Sequence, residues 1–199
     1  MVIFILVKPG GTVFNLVESL EMSVVLLGDS VFKRLFEKHP DRFCSLSRMF
    51  CVSGQTSGDL KSLVKENRDL LRGRSVVLHI GTNDFLKSVD LSILCHTAKS
   101  IVRILRKLSC SVRVVEIIPI GRWGVSAEAQ QAICKFNNFL RSFRSSGVLV
   151  SDAFTAFCSS SEVDLSLYCA VIGKYRRVDR VHPNNRGLDV LMSIVCLPS

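Results

Sequence analysis

The chain has 199 residues, 48% of them hydrophobic and 22% charged, which excludes a disordered chain and leaves room for one domain with a sizeable core. Its formal net charge of +9 favours anionic partners such as nucleic acid, an acidic membrane surface or anionic substrates, without choosing among them. The 8 cysteines form no C-x-x-C pair and no Cys/His spacing resembles a zinc site, so no metal or other cofactor is expected, and reduced thiols point to an intracellular, cytoplasmic protein.

Residues 1–22 read as an N-terminal extension of unassigned role: a short apolar piece, a Pro-Gly-Gly turn and an amphipathic stretch. It fits neither a secretory signal nor a membrane span. The domain proper is expected over residues 23–199. Its first strand is the apolar run Val24-Val25-Leu26-Leu27, stopped by Gly28-Asp29-Ser30 and followed by a helix to about Lys38. A second strand is expected from Arg48 to Val52, ending in Ser53-Gly54-Gln55-Thr56. Thr56 or Ser57 then caps a helix that Gly73 stops.

A third strand spans Ser75–Ile80 and ends in Gly81-Thr82-Asn83-Asp84. Asp90 caps a helix whose buried stripe is Leu91, Leu94, Ala98, Ile101, Val102, Leu105 and Leu108, with Lys99, Arg103, Arg106 and Lys107 mostly off it. The fourth strand is expected from Val112 to Ile118, closed by Pro119, with a loop at residues 120–124. A helix follows over Ala127–Arg144, then a fifth strand, Val148–Val150. Residues 152–177 read as irregular, and a last helix runs from about Asn185 to Val195.

Alternating strands and helices predict an α/β fold, a three-layer α/β/α sandwich with a mainly parallel five-stranded sheet in the flavodoxin-like order 2-1-3-4-5. In such sheets ligands bind beyond the carboxyl ends of the strands. That edge receives Ser30, Gly54 and Asn83. A serine at the start of a helix has unpaired backbone N–H groups beside it, which suits a nucleophile whose intermediate needs oxyanion donors. Asp179 and His182, three residues apart, can face one side, so that the carboxylate fixes the imidazole tautomer. Each piece alone also reads as a cap, a turn or a surface pair.

Together the four blocks, G-D-S at 28–30, S-G-x-T at 53–56, G-x-N-D at 81–84 and D-x-x-H at 179–182, resemble the SGNH (GDSL-type) hydrolases over about residues 23–196. Val31 and Gln55 depart from the usual pattern of that family, at positions that touch no catalytic atom. Val77–Asp84, Ile118–Arg122 and His182–Gly187 are similar to the esterase domain in first-reading-frame proteins of LINE-type retrotransposons. The resemblance implies a serine esterase acting on acetyl, short-chain or lipid esters through an acyl-enzyme. Ser30 would be the nucleophile, His182 the general base and Asp179 its orienting acid. The backbone N–H groups of Ser30 and Gly54 and the amide of Asn83 would form the oxyanion hole.

Lys174, Arg176, Arg177 and Arg180 read as an anion-binding rim beside His182 or as a solvated loop. Arg122 and Trp123 read as a substrate-facing rim or as packing, and His79 as a satisfied core histidine. The rival reading is a non-catalytic module on the same fold, binding RNA or anionic membrane through its basic surface.

Overall fold

A computed structural model describes residues 24–121, 127–159, 162–172 and 177–196. The 1–22 extension, Arg122, Trp123, Lys174 and Arg176 lie outside the described residues. Strands β1 (Val25–Gly28), β2 (Arg48–Cys51), β3 (Ser75–His79), β4 (Ser111–Val115) and β5 (Leu149–Ser151) form one sheet in the order β2-β1-β3-β4-β5. Every neighbouring pair is parallel. The α/β fold and the strand order expected from the sequence are those observed.

Parallel strands need crossovers, and helices on both faces supply them. One face carries helices α2 (Ser57–Glu66), α3 (Arg68–Leu71), α5 (Leu91–Lys107) and α6 (Ala127–Arg141), whose apolar stripes pack over Leu27, Val76, Leu78 and Val114. The other carries α1 (Ser30–Lys38) and α7 (Asn185–Val195), which close over Leu26, Val77 and Val115. Successive residues of one strand thus feed opposite cores, the period-2 consequence of the pleat. A short helix α4 (Thr82–Leu86) follows β3, and a 3-10 turn, Ser142–Ser146, follows α6.

Caps set the helix starts. Thr56 and Asp59 form a reciprocal capping box on α2, and Asp90 accepts from the first amides of α5. Some boundaries differ from expectation. The helix after β2 breaks at Asn67, whose side chain donates to Leu63 O at 2.9 Å. Strand β4 ends at Val115 rather than Ile118, because the Asn137 side chain captures both backbone groups of Ile117, at 3.0 and 2.9 Å. The stretch 152–177, expected to be irregular, contains two antiparallel pairs: β6 (Cys158–Ser159) with β7 (Glu162–Val163), and β8 (Val171–Ile172) with β9 (Arg177–Val178). No described helix is long and apolar enough to cross a membrane, and all 8 cysteines are free thiols.

Candidate active site

Gly28 ends β1 because nothing larger fits: a Cβ there would lie 2.9 Å from the carbonyl of His79 on the neighbouring strand. The chain then turns into α1 with Asp29 as N-cap, its carboxylate accepting from Val31 N at 2.9 Å. Ser30 is therefore the first residue of α1, where the helix leaves backbone N–H groups without internal partners. Its hydroxyl lies at the carboxyl edge of the sheet, 2.8 Å from Nε2 of His182.

His182 is held from its other side. Its Nδ1 lies 3.0 and 2.9 Å from the two oxygens of Asp179, so a proton on Nδ1 is donated to the carboxylate and Nε2 is left to accept from Ser30. Asp179 is buried and His182 is partly exposed, the arrangement of a carboxylate shielded behind an imidazole that reaches solvent. Between them Arg180 adopts φ 46°, a left-handed conformation uncommon outside glycine, which the Val181 N bond to Asp179 Oδ1 at 3.2 Å and the Arg180 N bond to Cys169 O at 2.9 Å hold in place.

The segment 167–170 runs alongside 179–184 and fastens it. Cys169 N donates to His182 O at 2.9 Å, Asn184 N to Leu167 O at 2.9 Å and Asp179 N to Ala170 O at 3.2 Å. The Asn184 side chain caps α7 through Gly187 N and donates to Ser166 O and Tyr168 O. The Cys169 thiol donates to Pro183 O and accepts from Arg34.

The turn after β2 lies at the same edge. Gly54 has φ +78°, and its carbonyl accepts from Nζ of Lys87 at 2.9 Å. Asn83 sits in the first turn of α4, where the sequence suggested only a turn, and its amide donates to Gln55 O at 3.0 Å. An amide carries two N–H groups, and the bond to Gln55 takes one of them. Asp84 accepts from Ser57 N at 2.9 Å and Ser57 Oγ at 2.7 Å, tying the start of α2 to the end of β3.

Beneath Ser30 lies a buried polar pair. His79 is fully buried as expected, yet neither ring nitrogen is hydrogen bonded: Nδ1 lies 3.5 Å from Asp29 Oδ1, and the ring stacks on Phe32 with centroids 5.0 Å apart. The ring is a core residue as expected, but it is not satisfied by hydrogen bonds; it lies beside the Asp29 carboxylate instead. Burial pushes the Asp29 carboxyl up, but the adjacent His79 ring and the Val31 amide outweigh it, and the group is held below the usual carboxylate range.

The structure thus brings Ser30, Asp179 and His182 into one hydrogen-bonded chain and sets Gly54 and Asn83 on the same sheet edge. Arg180 is exposed beside His182, and only the backbone of Arg177 is described. Sequence reasoning missed Asp84, although it stands inside the G-x-N-D block. It also missed Lys87, which no motif marks.

The family model of the OSK domain matches residues 18–177. The fold is similar to that of the OSK domain of Drosophila Oskar, at 19% identity over 86% of this chain and 88% of that one, with a TM-score of 0.67. A GDSL-like lipase from Bacteroides thetaiotaomicron gives 18% identity over 86% of this chain and 84% of the other, with a TM-score of 0.67. A catalytic mutant of an acetylxylan esterase from Geobacillus stearothermophilus gives 19% identity over 86% and 91%, with a TM-score of 0.65. No curated protein matches the chain by sequence. At such identities the likeness is one of fold, and the fold is that of the GDSL/SGNH hydrolases.

Proposed function

The chain belongs to the OSK-domain family, and within it we propose a serine esterase that cleaves carboxylic esters through an acyl-enzyme. One observation carries the reading: the unbroken chain from Ser30 Oγ to His182 Nε2 and from His182 Nδ1 to Asp179, at 2.8 and 2.9 Å. A cap or a surface pair requires no such alignment.

In this mechanism Ser30 Oγ attacks the ester carbonyl while His182 takes its proton, and Asp179 stabilises the imidazolium that forms. The oxyanion is met by the N–H groups of Ser30 and Gly54 and by the amide of Asn83. The leaving alkoxide takes the proton from His182, and a water activated by the same ring then hydrolyses the acyl-serine. Acetyl, short-chain or lipid esters are the proposed substrates, and the likeness of residues 77–84, 118–122 and 182–187 to retrotransposon esterase domains adds a place in such a protein. Labelling by a fluorophosphonate, together with turnover of aryl acetates, tests the reading. Native chain that is labelled and active, against an inert Ser30→Ala, supports it; folded native chain that neither reacts nor turns over esters of several acyl lengths rejects it.

A second reading is favoured by the net charge of +9: a module that binds RNA or anionic membrane through its basic surface. It requires binding to RNA or to anionic vesicles that weakens steeply with salt, and no binding at low ionic strength removes it.

A further inference from the structure

On the α5 face, at the end of the sheet away from Ser30, lies a cavity of about 360 Å³ between the C-terminal half of α5 and the turn Ser142–Ser146. Lys99, Arg103, Arg106 and Lys107 surround it, and Val102 and Phe143 line it. The four cations follow one flank of α5 at helical spacing, so each stands near another of like sign. Among the described residues no carboxylate forms an ion pair with any of them. Charges in the last turn of a helix are relieved by its carbonyl end, which accounts for Arg106 and Lys107 but not for Lys99 and Arg103, further back along the helix.

The floor has the opposite character. Val102 and Phe143 are buried, at 5% and 7% exposure, and the Phe143 ring is fixed edge-on against Phe139. Small-ligand sites combine an apolar floor of this size with a few convergent polar groups. Two guanidiniums flanked by two ammoniums match a head of more than one negative charge, and guanidinium forks match phosphate oxygens in pairs. A monocarboxylate would leave most of that charge unanswered.

We propose that this cavity is a binding site for a phosphate ester. The phosphate sits among Lys99, Arg103, Arg106 and Lys107, and the organic part lies on Val102 and Phe143. The site is separate from the Ser30 chemistry and does not depend on it.

The test titrates the full chain with ADP, with phosphatidylcholine vesicles containing phosphatidic acid, with inorganic phosphate and with a single-stranded oligonucleotide. The key variant is Arg103→Glu/Arg106→Glu; the control, Lys38→Glu/Lys65→Glu, changes the net charge equally on exposed residues elsewhere. Both arginines are exposed, and Arg103→Gln alone serves if the double variant does not fold. The expected result is binding of ADP or of the phosphatidic acid vesicles about tenfold or more tighter than of inorganic phosphate, lost about tenfold or more in the key variant and kept in the control, with a native circular dichroism spectrum in both. Binding of ADP identifies a soluble phosphate ester and binding of vesicles alone a lipid headgroup. Absence of both, equal binding of inorganic phosphate, equal loss in the control, or binding of the oligonucleotide alone overturns the proposal.

Discussion

The hydroxyl of Ser30 and the Nε2 of His182 meet at 2.8 Å across 152 positions of the chain. Ser30 is fixed by the end of β1 and the Asp29 cap, and His182 by backbone bonds to the 167–170 segment. Neither side chain is placed by its own sequence neighbours alone.

Removing that hydroxyl tests the chemistry most directly. In Ser30→Ala, kcat for aryl acetates is expected to fall by about 10⁶-fold. The fluorophosphonate label is expected to disappear while the circular dichroism spectrum stays native.

Asp179→Asn keeps an oxygen for the Val181 amide, so the turn survives. The new amide favours the wrong imidazole tautomer. The expected loss is about 10⁴-fold in kcat with native thermal stability, read from parallel kinetic and melting measurements.

The Gly54 turn is gripped at two carbonyls, by Lys87 and by Asn83. Asn83→Ala removes both a proposed oxyanion donor and a clamp, and is expected to lower kcat by about 10²–10³ with KM little changed. Lys87→Met frees one carbonyl but removes no proposed oxyanion donor. A smaller fall in kcat, partly restored by Lys87→Arg, marks Lys87 as a positioning residue; a change confined to KM counts against that role.

Asp29→Asn keeps an N-cap for α1 and removes the charge facing His79. At neutral pH this is expected to destabilise the fold by about 1–3 kcal/mol. The Asp29 carboxyl lies below its ordinary value of 3.8 in the folded state, so its contribution is fully present above that pH. It is lost as pH falls through the lowered folded value. The stability gap between native chain and variant should therefore narrow on acidification from pH 5 in urea titrations; a gap independent of pH refutes a stabilising role for the Asp29 charge.

Gly187 sits in the first turn of α7, where a Cβ would collide with the Leu167 carbonyl and lie 2.9 Å from Pro183 Cβ. Gly187→Ala is expected to destabilise the fold by about 1–3 kcal/mol. The same shift moves the segment that bears His182, so Ser30 labelling should slow more than the melting temperature alone suggests.

The sheet order was legible because it rests on local signals, apolar runs such as 24–27 and 76–78 stopped by small polar turns; the meeting of Ser30, Asp179 and His182 was expected only from the four blocks taken together. What was not legible depends on distant partners. Nothing near Ile117 announces that Asn137 will satisfy its backbone and end the strand. The β8 and β9 residues form strands only by pairing with each other, two residues at a time. Lys87 finds the Gly54 carbonyl 33 positions away, and His79 looks like any core histidine until Asp29 is seen beside it.

Phe32 and Leu35 of α1 share one buried cluster with Leu188, Leu191 and Met192 of α7. Ser30 opens the first of these helices, and His182 precedes the second by three residues. The two reacting groups therefore ride on opposite sides of a single helix seam. Gentle warming that loosens the seam would draw proton donor and acceptor apart before the sheet melts, so inactivation should run ahead of unfolding.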